Sequence, residues 1–515
     1  MENLLSITTF IPALAALILA VFLRGEDEMA QRNARSVAMM AAILTFMASL
    51  FIFFDIDPGD PEFQFTEERD WLLGLQFRMG VDGISLPFVM LTALITPLAI
   101  AASCQVTERV KEYMIAILFL ETLLLGVFFS LDIVQFFLFF EGALIPLFLI
   151  IGVWGGTGRM QAAFKMFLFT LMGSVLMLVA MIAMYNDAGT TDITQLLRHQ
   201  FNADDKQVFG LQVIGGLQTL LFLAFLASFA VKLPIWPLHT WLRDAHTQAP
   251  IAGSVLLAAV VVKLGAYGLL RFSMPMFPVA FDLVTPLMVW LSVIAVLYCG
   301  LAALAQTDMR RVLAYWSVMQ MGVICLAIFS ANQYALEGAL FHVLAHGLII
   351  GALFLCLGML GERGQSFEIK SFGGLACKTP VLALVLGVFL LAGIGAPGTA
   401  GFVGLFLVTV GIFQASPLAA ALSGLGLVLS VAFALTLYRK VMLGDLIKES
   451  LKSVPDMSGR EKALIAPLVI LVFVLGISPG MLTGLTSASV EAMLADHETA
   501  LAAAGRAADL AQLAQ

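Results

Sequence analysis

Four charged residues stand inside long apolar runs of this sequence. Glu121 lies in ILFLETLLLG, Glu141 in LFFEGALIPLFL, Lys232 in LASFAVKLPIWPLHTWL and Lys263 in AAVVVKLGAYG. Of the six histidines, His239, His246, His342 and His346 fall in the same region of the chain, and His342 and His346 share one helix face at i, i+4 spacing. Carboxylate, ammonium and imidazole are the side chains that take up and release protons. An ionised group at the centre of a membrane helix costs about 2.5–3.5 kcal/mol on insertion scales, so each must face a partner or water. This set points to a proton or ion path, with His346 as a relay and His342 as a packed, hydrogen-bonded histidine. The alternative is a group of static ion pairs that pin helices together. Zinc is disfavoured, since no acidic or thiol ligand accompanies the histidine pair.

The backbone around Lys232 is interrupted by Pro234 and Pro237. Neither proline has an N–H for the carbonyl four residues earlier, so the carbonyls of Ala230 and Leu233 are expected to be free. Irregular backbone at membrane depth is tolerated only beside protein or a water-filled cavity. Burial disfavours the ammonium form and a nearby carboxylate favours it, so Lys232 and Glu141 would titrate as a coupled pair if they touch. A second interruption, LLAGIGAPGTAGFVGLF at 390–406, sets Pro397 among five glycines. Interruptions at matching places in two halves mark inverted repeats with a site at the midplane.

These groups must be held by membrane elements. Apolar residues make up 61% of the 515, charged residues 12%, and mean hydropathy is +0.99. Soluble domains carry about 25% charge. The apolar runs are about 18–24 residues long, which suits helices and not the alternating strands of a barrel. The expectation is an all-α polytopic membrane protein with 14 spans: 4–23, 36–54, 83–103, 113–131, 132–152, 162–185, 217–241 (broken), 250–273, 284–305, 311–331, 336–360, 379–413 (broken), 418–438 and 462–483. Helices 4–8 and 9–13 form two five-helix groups, each with its fourth helix broken, helices 7 and 12. The corresponding units are 1–112 (helices 1–3), 113–273, 284–441, and 442–515 for helix 14 and the tail. With the N-terminus outside, nineteen lysines and arginines fall in inside loops and six outside, Arg271 among the latter. That asymmetry places both termini on the outer side.

The start, MENLLSITTF, carries Glu2 and no cation, and reads as a retained first span, not a cleaved leader. The acidic stretch 55–70 reads as a solvated loop, and the Ala-rich tail from Ser487 as a surface helix or frayed end. The five cysteines contain no CxxC, which argues against an iron–sulfur or zinc site. A net charge of −8 without a basic block argues against nucleic acid.

Several stretches together are specific: MGVDGISL (79–86), KEYMIAILFLE (111–121), LFFEGALIPLFLIIGVWGG (138–156), the run 229–273 around Lys232 and Lys263, ALAQTDMRRVLAYWSV (303–318), HGLIIGALFLC (346–356) and APGTAGFVG (396–404). On these residues the chain, over about 1–485, resembles the antiporter-like subunit M family of respiratory complex I, NADH–quinone oxidoreductase. The resemblance implies 14 helices in two inverted repeats, Glu141 and Lys232 as the input-side pair, Lys263 as the central relay, His346 on the onward path and Glu121 as an auxiliary. It implies no flavin, iron–sulfur cluster or quinone on this chain, the antiporter-like subunits L and N as neighbours, and a bacterial inner membrane.

The sequence departs from that family at three places. GFVGEF reads GFVGLF, with Leu405 in place of the acid. AYSSVAHMG reads AYWSVMQMG, with Trp316 and Gln320. WLPDAH reads WLRDAH, with Arg243. Leucine carries no proton, and glutamine is not a basic relay. The alternatives are therefore an assembly subunit with impaired proton exit, or the homologous subunit of a cation/proton antiporter or membrane hydrogenase.

Overall fold

The computed structural model describes residues 3–25, 27–71, 76–208, 211–446 and 448–513. Glu2 and the side chains of Lys206 and Arg506, used in reading the termini and the charge balance, lie outside the described residues. Eleven described helices are long and apolar enough to cross a membrane, or up to twelve if the bent pair at the C-terminus forms one span. They are α1 (Leu4–Phe22), α2 (Glu28–Asp55), α3 (Leu86–Ala102, continued to Gln105), α4 (Val110–Phe129), the run α5 (Ile133–Gly142) plus α6 (Leu144–Trp154), α7 (Arg159–Ala188), α11 (Ile251–Met276), α12 (Pro278–Leu304), α13 (Met309–Ile328), α14 (Gln333–Gly364) and α17 (Pro417–Met442). Between them come the short α8 (Ile193–Arg198) and the shorter apolar helices α9 (Gly216–Lys232), α15 (Pro380–Gly393) and α16 (Ala400–Ala415). The half-helix α10 (Thr240–Gln248) follows α9; α18 (Gly459–Ile477) and α19 (Gly480–Leu513) end the chain, bent by 66° between them.

Both expected interruptions are present. α9 stops at Lys232 and the chain resumes helix at Thr240; α15 stops at Gly393 and resumes at Ala400. The free carbonyls expected at the first break are partly corrected. Ala230 O accepts the N–H of Ile235 at 3.0 Å, and the Trp241 indole N–H donates to Val231 O, also at 3.0 Å. The chain turns tightly enough after Leu233 for an N–H five residues on to reach back. A further break was not foreseen: the fifth span is interrupted at Ala143, two residues past Glu141.

The fold is not wholly helical. Strand β1 (Gln64–Asp70) pairs antiparallel with β2 (Gln76–Val81), and β3 (Lys206–Val208) with β4 (Leu211–Val213). So 55–70 is not simply a solvated loop. Glu67 is buried, and its carboxylate accepts the N–H groups of Leu5 (2.7 Å) and Ser6 (3.2 Å). A helix start exposes unpaired N–H groups at the positive end of its dipole, and a carboxylate satisfies both needs. The tail forms the expected surface helix, with one face packed: His497 of α19 lies 3.3 Å from Met274 O, with its ring against Phe281.

The β1–β2 hairpin, the start of α3 and the ends of α4 and α11 share one face, here the hairpin face. On it Ile133 N–H bonds Thr191 O and Ile193 N–H bonds Leu131 O, both at 2.9 Å. On the opposite face Met309 N–H bonds Phe367 O and Ile369 N–H bonds Thr307 O, again at 2.9 Å.

Candidate functional site: a buried lysine–histidine chain

Lys232 closes the last turn of α9 and is 2% exposed. Its Nζ donates to Phe140 O at 2.8 Å, lies 3.1 Å from the centre of the Phe140 ring, and reaches Glu141 Oε1 at 3.4 Å. Spacing along the chain could not establish that Lys232 and Glu141 touch; the fold brings them together. The Glu141 side chain keeps 16% exposure, at the edge of the bundle.

Lys263 is fully buried in α11, whose span is buried along its length. Two π-helical turns, Leu257–Val261 and Leu269–Ser273, flank it. The first widens the helix just before Lys263, and Nζ donates to the carbonyl of Ala258, five residues earlier. Such turns concentrate at functional sites because they leave carbonyls outside the regular ladder. Gly265 lets α11 lie against the end of α9: a Cβ there would come 2.5 Å from Phe229 O and 2.6 Å from Leu233 N. The helix bearing Lys263 is thereby pressed onto the break that carries Lys232.

On its other side Lys263 Nζ lies 2.9 Å from Nδ1 of His346 on α14. One turn away, His342 stands with its ring centre 6.2 Å from that of His346. His342 Nε2 is 3.1 Å from Gln320 Oε1 on α13, and Gln320 Nε2 donates to Gly393 O, at the break after α15, at 3.3 Å. A small cavity lined by Trp316, Gln320, His342, His346 and Gly393 joins these groups. Sequence reasoning gave His342 a packing role and read Gln320 only as a lost relay that would impair proton exit. The i, i+4 spacing of the histidines was the available signal for His342; residue 320 was singled out only as a departure from the family pattern, which could not place it against His342.

The remaining expected residues stand apart. Glu121 is 1% exposed on α4 with Thr96 as its polar neighbour. His239 is buried in the first break against the rings of Tyr298 and Tyr315, away from the lysine–histidine contact. His246 stacks on Phe354 at 4.6 Å, and neither ring nitrogen has a hydrogen-bond partner among the described residues. Leu405 is buried. Among the described residues no three His, Cys, Asp or Glu side chains converge as a metal site requires.

One cation was misplaced by the charge count. Arg271 belongs not to an outer loop but to the last turns of α11, where it pairs with Asp82 at 2.5 Å; the two side chains are 8% and 3% exposed. Asp82 also accepts the N–H groups of Ile84 and Ser85 ahead of α3. A carboxylate fixed at a helix start gives the arginine a buried partner, so the span can extend past it.

Residues 130–431 match the family described as NADH:quinone oxidoreductase/Mrp antiporter, TM, and residues 7–127 match NADH-ubiquinone oxidoreductase chain 4, amino terminus. The chain is 52% identical to NADH-quinone oxidoreductase subunit M of Rhodobacter capsulatus, over 100% of this chain and 99% of that protein. It is 39% identical to subunit M of Rickettsia prowazekii, over 95% and 98%. Its fold resembles a chain of respiratory complex I from Thermus thermophilus with bound NADH, at TM-score 0.83 and 30% identity over 95% and 99%. It also resembles a chain of the Mrp complex from Dietzia sp., at TM-score 0.81 and 19% identity over 96% and 97%, a likeness of fold alone.

Proposed function

The chain belongs to the NADH:quinone oxidoreductase/Mrp antiporter family of membrane subunits, and on that premise we propose that it is the proton-translocating, antiporter-like subunit of an NADH–quinone oxidoreductase. Quinone reduction elsewhere in the complex drives protons through it. The observation that carries this reading is the buried contact between Lys263 and His346, lying across α11 from the Lys232–Glu141 pair. Glu141 and Lys232 receive the proton, Lys263 relays it, and His346 passes it on; Glu121 and His239 are accessory. No flavin, cluster, quinone or metal is assigned to this chain.

The finer architecture belongs to the same proposal: 14 spans, counting each broken pair once, in two inverted repeats. Two sets of matched backbone bonds support it. In the first break Leu233, Ile235 and Leu238 donate to Phe229, Ala230 and Ile235; in the second Ile394, Ala396 and Thr399 donate to Leu390, Leu391 and Ala396, at one constant offset. The paired bonds around Ile133 and Ile193 recur, again at one offset, around Met309 and Ile369 on the opposite face. Those offsets match Lys232 with Gly393, Glu141 with Ser317 and Phe140 with Trp316. The ionic pair thus exists in one half only, and in the other the Trp316 indole fills the space a side chain at Gly393 would need. The cation-rich face opposite the hairpin is the inner one, so both termini lie outside, and the exposed apolar edges meet lipid and subunits of the L and N type.

The assembly-only reading keeps one observation in its favour, the buried Leu405 where the family carries an acid. The test is Lys232→Ala in the intact complex in sealed inside-out vesicles. Assembly is expected to persist while protons moved per electron pair fall; a ratio equal to wild type discards the lysine path and favours the scaffold.

A further inference from the structure

Gly393 ends α15, and its carbonyl accepts from Gln320 Nε2. A carbonyl can only accept, so the amide must turn its NH2 toward Gly393 and its oxygen toward His342. An amide oxygen also only accepts, so His342 Nε2, 3.1 Å away, must carry a hydrogen. In the neutral ring Nδ1 is then bare. The His346 ring is oriented the other way round. When Lys263 carries a proton to pass on, it donates into His346 Nδ1, 2.9 Å away, and the ring's own hydrogen then sits on Nε2, which is buried without a partner among the described residues. One ring therefore offers an N–H and the other a lone pair. Both line one cavity with room for roughly one water molecule.

We propose that Gln320 is a positioning residue for proton transfer, locking His342 in the tautomer whose Nδ1 is the acceptor for protons arriving from His346. This rests on the path assigned above and gives it a direction. The proton leaves Lys263 Nζ for His346 Nδ1. The resulting imidazolium releases its Nε2 proton into the cavity, and His342 Nδ1 takes it up. Lys263 is left as a neutral amine accepting from His346 Nδ1–H, and His342 becomes an imidazolium still bonded through Nε2 to Gln320. Because the amide cannot hand a proton on, residue 320 ends that branch, and protons depart from His342 by Nδ1. The glutamine is thus an orienting group where a histidine relay was expected.

The test compares Gln320→Met, Gln320→Glu and Gln320→His in the intact complex, in vesicles, with assembly checked by native electrophoresis. Methionine keeps the volume and removes both hydrogen bonds; protons per electron pair should fall by at least half of the drop seen in Lys263→Ala. A buried, protonated glutamic acid and a histidine can each donate to Gly393 and accept from His342, and should recover at least half of that loss. His342→Met should match Gln320→Met, and the double variant should lose no more than either single one. A Gln320→Met complex that pumps as wild type, or glutamate and histidine variants as poor as methionine, overturns the proposal. If Gln320→Met does not assemble, Gln320→Asn, too short to span both partners, carries the same expectation. Full pumping by Lys263→Ala would instead fail the underlying path, whatever the Gln320 variants do.

Discussion

The ammonium of Lys232 is held more closely by Phe140 than by its counter-ion. It lies 2.8 Å from the Phe140 carbonyl and 3.1 Å from the centre of that residue's ring, against 3.4 Å to Glu141. A desolvated cation over an aromatic face gains about 2 kcal/mol. The lysine therefore stays seated when the carboxylate is neutralised. Glu141→Gln should assemble and keep its quinone reductase complex intact on native gels, while protons per electron pair fall as in Lys232→Ala. Loss of assembly would mean that the ion pair is structural.

The Arg271–Asp82 pair makes the opposite prediction, because among the described residues no other cation pairs with Asp82. Removing it strands a buried carboxylate, which costs about 3–5 kcal/mol. Arg271→Met should lower the thermal midpoint and the yield of assembled complex, and Asp82→Asn on top of it should recover part of the loss. An Arg271→Met chain as stable as wild type would show the pair to be dispensable.

Asp456, in the loop before α18, predicts a pH dependence. Burial raises its carboxyl, but N–H groups of Val381, Met457 and Leu382 outweigh this and hold it below the ordinary carboxylate value. A group depressed in the folded state contributes stability above its unfolded value and loses it as pH falls through the folded one. The seating of α15 on this loop should therefore loosen only in acid, below about pH 4. In Asp456→Asn that acid-dependent part should vanish; hydrogen exchange at Val381 and Leu382 between pH 3 and 7 reads it.

The sequence by itself determined the membrane class, most span positions, both interrupted helices and the buried titratable residues of the proposed proton path. These are local matters: composition, run length, and prolines and glycines that no helix absorbs. Only the tertiary structure decided which of those residues meet. Lys232 and Glu141 lie on separate helices, as do Lys263 and His346, and no periodicity encodes a contact between chains of residues so far apart. The same reason explains the errors. Arg271 read as a loop cation because its partner Asp82 comes from another helix start, and Glu67 read as solvated because the helix it caps lies far upstream. The π-helical turns around Lys263 arise from packing against neighbours and had no sequence signature to find, and Gln320, visible in the sequence only as a departure from the family pattern, meets His342 only in the fold.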